Sequence, residues 1–292
     1  MELSMENESS KTQKAFEDKF TEIVQKCRES GFNTLIVQVR PFCDALYKSS
    51  YFPWSHILTG TQGENPQYDA LQIMCDICKE NNLKIHAWIN PYRVSSNKTP
   101  KKLSDNNPYI KNSEIGIKTD NGIFLDPSNE TAQQLISDGV KEIAENYDVD
   151  GIQFDDYFYP TKNESFDKKQ YEAYIEKYGK ENCMSLDNWR MQNVNTLICK
   201  VYRTIKSVDS SVEFGISPQG NIGNNDGLYV DVKSWCTCKG FADYICPQIY
   251  FSLENPALTF EDCLNSWTSL DFDENVKLYV GLGGYKAGIG EY

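Results

Sequence analysis

Histidine is nearly absent. The 292 residues hold two, His56 and His86, which excludes a hydrolase centre built on several histidine ligands around zinc. No G-x-S-x-G segment occurs, so there is no nucleophile elbow of the serine-hydrolase kind. No phosphate-cradling P-loop occurs either. Cations are in short supply: 29 Lys and Arg face 42 Asp and Glu, for a formal net charge of −13. A nucleic-acid backbone is therefore not the expected partner, because counterion release needs clustered Lys and Arg. No apolar run reaches the length that a spanning helix needs. The opening MELSMENESSKTQ is polar and has no apolar signal core, which leaves the compartment unassigned.

What is present is apolar residues, at 40% of the chain, and ten cysteines. The first is ample for a large core. Cys75 and Cys78 form a C-x-x-C, and Cys236 and Cys238 a C-x-C. Such spacings can hold zinc. However, Leu71, Met74, Cys75 and Cys78 share one helical face, where free cysteine behaves as a small apolar residue. Core packing is the expected role, no metal is assigned, and no cofactor is expected. Ten cysteines without a compact disulfide framework point to a reducing environment.

Strand-like runs alternate with amphipathic segments. Phe16, Phe20, Ile23, Val24 and Cys27 fall at helical spacing and stop at Ser30-Gly31. Apolar runs at 33–39 (NTLIVQV), 84–89 (KIHAWI), 151–154, 213–216, 243–246 and 277–280 read as strands. Helices are expected at 68–81, 129–146 and through a long section at 166–208. Strand–helix–strand repetition implies parallel strands with right-handed crossovers. The expected fold is an α/β (β/α)8 TIM barrel. Six strands are visible where eight are needed, so the barrel is expected to be incomplete, lacking its first and last strands. Residues 1–14 are expected to be disordered and 15–292 to form one TIM-barrel glycosidase-like domain. An excursion at 94–125 carries Asn121-Gly122, a hairpin signal.

The strands end in a characteristic way. GIQFDDYFYP, residues 151–160, runs from apolar residues into Asp155 and Asp156 and then into aromatics. Arg40 and Asp44 follow the first strand. Trp88 lies on the second, with Asn90, Tyr92 and Arg93 after it. Gln219 follows the 213–216 strand, and Gln248 and Tyr250 the 243–246 strand. In a parallel barrel those ends form the active face. Carboxylates, amides and aromatic rings there suit sugar: acids cleave the glycosidic bond, rings stack on pyranoses, and amides and Arg bond hydroxyls and carboxylates. Side chains alternate along a strand. If Gln153 faces inward so does Asp155, while Asp156 faces the helix layer unless the strand has already turned. Asp155 and Asp156 are the catalytic candidates, with Asp44 and Asp126 as further candidates for a second acid. Arg40, Asp44, Trp88, Asn90, Tyr92, Arg93, Asp126, Tyr157, Gln219, Gln248 and Tyr250 are candidate substrate-binding residues. For His86 a core position is expected.

The blocks FNTLIVQVRPFCDALYKSSYFPWS, KIHAWINPYRVS, FLDPSN, DVDGIQFDDYFYP, FGISPQGN and DYICPQIYFS, in this order, resemble bacterial glycosyl-hydrolase-like family 10. The resemblance covers nearly the whole chain. It implies a TIM barrel, a polysaccharide partner and glycosidase activity on cell-wall glycan, namely peptidoglycan strands free of stem peptides. It also implies a secreted or envelope location. Against the family pattern, the opening strand block is missing and the sequence stops just after GLGGYKAG. DGIQFDDYFYP is also similar to the chitinase-type D-G-x-D-x-D-x-E strand. There Gln153 replaces an Asp and Tyr157 the catalytic Glu, so the substrate-assisted mechanism is not carried over. Two alternatives stay open: a catalytically inactive glycan-binding protein on the same scaffold, and a divalent cation held by Asp126, Asp155 and Asp156.

Overall fold

The computed structural model describes residues 3–288. The outermost parts of the two expected segments, residues 1–2 and 289–292, lie outside the described residues. The chain divides into two compact units, Met1–Gln153 with Thr204–Val212 and Phe154–Arg203 with Glu213–Tyr292.

In the first unit, α1 (Gln13–Glu29) starts at Thr12, whose side chain accepts from the Ala15 N–H, and carries Lys26 and Arg28 at its negative end. Its apolar stripe buries Phe16, Phe20 and Val24, each side chain contributing about 1.5–3 kcal/mol. Within the segment expected to be disordered, Met5 is buried and its N–H donates to Ile57 O at 2.9 Å. Strand β1 (Thr34–Arg40) follows. After the one-turn α2 (His56–Thr59) comes α3 (Ala70–Glu80), N-capped by Asp69. It buries Leu71, Met74, Cys75 and Cys78 along one face. Strand β2 (Lys84–Ile89) pairs parallel with β1, from Thr34 opposite Lys84 to Gln38 opposite Trp88. The register then shifts before Arg40, which lies opposite Ile89.

The expected excursion is a three-stranded antiparallel sheet of β3 (Arg93–Ser96), β4 (Gly116–Thr119) and β5 (Gly122–Leu125), ordered β3-β5-β4, with the short α4 (Pro108–Lys111) between β3 and β4. The hairpin is there, shifted by one residue: Asp120 and Asn121 make the turn and Thr119 pairs with Gly122. Gly122 has φ of 143°, and a Cβ on it would lie 2.2 Å from Ser95 O, so only glycine lets β3 approach. Helix α5 (Glu130–Asn146), capped by Asn129, leads to β6 (Gly151–Phe154). The Asp150 N–H donates to Ile85 O, and the Ile85 N–H to the Asp150 carboxylate. His86 lies over Gly151, where a Cβ would stand 2.6 Å from the imidazole; this is the expected core position.

The second unit opens at Phe154, whose carbonyl accepts from the Ser217 N–H. The long helical section is two helices, α6 (Lys168–Tyr178) and α7 (Leu186–Val208), separated after Gly179 at φ 80°. The last turn of α7 belongs to the first unit. Strand β7 (Glu213–Ile216) is followed by α8 (Ile222–Asn225) and α9 (Val232–Thr237). Then come β8 (Tyr244–Ile245), β9 (Gln248–Ile249), α10 (Phe260–Thr268), β10 (Lys277–Leu278) and β11 (Gly281–Leu282). β8 pairs parallel with both β7 and β10, and β9 with β11. Trp235 and Trp267 are fully buried, and Phe154 meets Phe214 edge-on at 5.1 Å. Both units are thus α/β with parallel pairing.

The ten cysteines are free thiols, and burial pushes Cys43, Cys75, Cys78 and Cys236 up to about 12. A thiolate is the reactive form, so these four are almost wholly protonated at pH 8. We expect a thiol reagent at pH 8 to label exposed Cys238 rapidly in native protein and these four only after denaturation, as read by peptide mass mapping.

Candidate active site

Strand β6 ends at Phe154, and the two acids come next. Asp155 is 2% exposed and Asp156 8%. One oxygen of Asp155 accepts the Tyr157 N–H at 3.2 Å, a local turn that ends the strand. Alternation therefore no longer governs Asp156, and its carboxylate is met by two amides. Gln219 Nε2 donates to Asp156 Oδ2 at 3.1 Å, and Gln248 Nε2 donates to Asp156 Oδ1 at 3.1 Å. The same Gln248 nitrogen donates to Ser217 O at 3.0 Å, which uses both of its hydrogens. Gln219 is held in turn by its own backbone: its N–H donates to Asn225 Oδ1, and its carbonyl accepts from Asn225 Nδ2. Gly220 lets these segments meet, because a Cβ on it would lie 2.3 Å from Gln248 O.

Three candidates, from the turn after β6, the loop after β7 and the start of β9, thus form one network. The donors are neutral, so they fix the carboxylate without cancelling its charge, unlike an Arg or Lys partner. Each Asp156 oxygen keeps a lone pair beyond its amide bond for a sugar hydroxyl or a proton. Tyr250 is close by: burial raises its hydroxyl first, and the charge of Asp156 adds to this. Its ring meets Tyr285 edge-on at 6.0 Å. Tyr157 is 56% exposed beside the pair.

The remaining candidates belong to the first unit. Arg40 is buried, with its guanidinium 4.6 Å from the centre of the Phe52 ring. Asp44 is fully buried; its Oδ2 accepts from Gln62 Nε2 at 3.0 Å and faces His56 Nδ1 at 3.4 Å. Asn90 Oδ1 accepts the Arg93 N–H, Arg93 Nε donates to Pro41 O at 2.9 Å, and its guanidinium stacks over Phe42. Asp126 Oδ1 accepts from both the N–H and the hydroxyl of Ser128, which closes the turn ahead of α5. Tyr92 is buried, which raises its hydroxyl, and the Asp126 charge raises it further. Trp88 lines an apolar cleft of about 560 Å³ along β1, together with Phe20, Ile36 and Leu46. Among the described residues no group of three or more His, Cys, Asp or Glu is placed to hold a metal.

A cluster that sequence reasoning missed fixes the segment after the acids. Arg190 and Asp167 are both fully buried. Arg190 Nε bonds both Asp167 oxygens, Nη1 donates to Tyr229 OH at 2.7 Å, and Nη2 to Asn163 O at 2.9 Å. Tyr159 packs 5.4 Å from the guanidinium. The signal was available. Arg190 falls on the same α7 face as Val194, Leu197, Ile198, Val201 and Ile205, all buried, where a charge needs a partner.

Residues 7–291 match the family described as Glycosyl hydrolase-like 10, and the chain belongs to that family. It is similar to Glycosyl hydrolase YngK of Bacillus subtilis (strain 168), 37% identical over 287 residues, covering 91% of this chain and 55% of the relative. It is also similar to Glycosyl hydrolase DigH of Escherichia coli (strain K12), 37% identical over 282 residues, 88% of this chain and 63% of the relative. The chain thus spans less than two thirds of the length of these relatives. Among solved structures, the PgaB (BpsB) glycoside hydrolase domain from Bordetella bronchiseptica matches with a TM-score of 0.61 at 9% identity, over 92% of this chain and 79% of that one. That likeness is one of fold.

Replacing Arg190 by Met strands the Asp167 carboxylate in the core. We expect a loss of about 3–5 kcal/mol in chemical denaturation, with less lost when Asp167→Asn is added.

Proposed function

We propose that this chain is a glycoside hydrolase acting on bacterial cell-wall glycan, specifically peptidoglycan strands without stem peptides. Membership of the family and the names of its relatives support glycan hydrolysis. The observation that carries the site is the acid pair at the end of β6, with Asp156 gripped by amides from the loop after β7 and the start of β9. In this reading Asp155 is the nucleophile or base, and a second carboxyl protonates the leaving oxygen. Asp126 and Asp44 are less suited to the second role. The first spends an oxygen on Ser128, and the second is fully buried behind Gln62 and His56. Asp156 adjoins Asp155, is the most exposed of the three and keeps a lone pair on each oxygen that can carry the proton; its amide donors then steady the carboxylate left when that proton is given up. The strand–helix order and the parallel pairing within each unit support a fold of the (β/α)8 class.

The depth of both acids favours one alternative, a protein that binds glycan on this scaffold without turning it over. Release of reducing ends from purified stem-free strands separates the two. We expect release by the wild type, and a fall of at least about 100-fold in kcat for Asp155→Asn and for Asp156→Asn. Binding without release supports the alternative, and full activity in Asp155→Asn removes that residue from the mechanism.

A further inference from the structure

Helix α6 has no buried residue, yet its aromatics are not loose. The Tyr171 hydroxyl donates to Met184 O at 2.7 Å and its ring packs on Trp189 at 5.3 Å, so the ring is fixed at both ends. Beside it is an open cleft of about 590 Å³, with Tyr171, Ile175 and Leu186 as its apolar side and Asn163, Ser165 and Lys168 as its polar rim. The rim is held from beneath. The Asn163 carbonyl accepts from Arg190 and from the Phe166 N–H, and its side-chain oxygen accepts the Ser165 N–H. Asn163 Nδ2 and the Ser165 hydroxyl make no hydrogen bond within the described residues and remain for a ligand. A rigid ring lining the same cleft as available amide and hydroxyl groups fits a sugar, because little ordering is needed on binding.

Charge narrows the class. Glu164 and Glu172 line the same cleft against the single ammonium of Lys168, which lies 3.8 Å from Glu172. An anionic sugar is disfavoured there and a neutral one is not. Asn163 lies eight residues beyond Asp155, so even a fully extended segment puts the cleft within ~29 Å of the acid pair. That is within reach of one oligosaccharide.

We propose that this cleft is an auxiliary glycan site that takes a neutral N-acetylhexosamine unit of the same strand whose cleavage is proposed above, and the inference rests on that reading for its substrate. The test uses two variants. Tyr171→Ala removes the platform. Ser165→Trp fills the cleft from an exposed position and breaks no side-chain bond. Binding of long stem-free strands is measured in an Asp155→Asn background, and hydrolysis of a short chromogenic amino-sugar dimer in the otherwise wild-type protein. The expected result is a Kd for long strands raised about two- to tenfold by each variant, with kcat/KM on the dimer unchanged. Equal long-strand affinity with and without the substitutions, or no strand binding at all, overturns the proposal. If no dimer or strand is hydrolysed, the catalytic reading falls, and the binding comparison still decides the cleft.

Discussion

A carboxylate held by two neutral amides is the constraint around which the rest of the second unit is arranged. Asp156 is the middle residue of the turn that ends β6, and Gln219 and Gln248 reach it from the loop after β7 and the start of β9. The arrangement requires each of those segments to sit at a set height. The close approach at Gly220 and the Asn225 brace on Gln219 provide that. Amide donors orient a carboxylate without neutralising it, which suits the proposed acid, whose negative charge appears as the leaving oxygen takes its proton.

The chemistry leans on groups with no chemical role of their own. Arg190 and Asp167 form a buried pair that ties the segment at 162–167 to α7 and Tyr229. Burying two charges gains little by itself; breaking one leaves the other stranded. Such a pair therefore locks a segment in place, here the one that joins the acid turn to the cleft beside Tyr171. In the first unit, the buried Asp44 is held instead by a neutral amide, Gln62, with the His56 ring 3.4 Å away.

Much of this architecture was legible in the sequence because burial leaves a periodic record. The stripe Phe16, Phe20, Val24 and the runs that became β1, β2, β6 and β7 lie close to where their apolar pattern puts them. The C-x-x-C face is core for the same reason. The short strands were overdrawn: only Tyr244–Ile245 and Lys277–Leu278 pair where four residues each were expected. The section at 166–208 is helical as its pattern indicates, and its division into two helices rests on Gly179, a weak stop until its positive φ is known. The direction of Asp156 could not be derived, since alternation holds only while a strand continues and a local turn ended this one. Arg190 escaped because its partners lie 23 and 39 residues away.

The most direct measurement is a double-mutant cycle on kcat/KM for stem-free glycan strands, combining Asp156→Asn with Gln248→Leu. If Gln248 acts through the Asp156 carboxylate, its removal slows the wild type markedly and has little further effect once Asp156 is Asn. Losses that multiply, or a Gln248→Leu protein as fast as the wild type, would contradict the account.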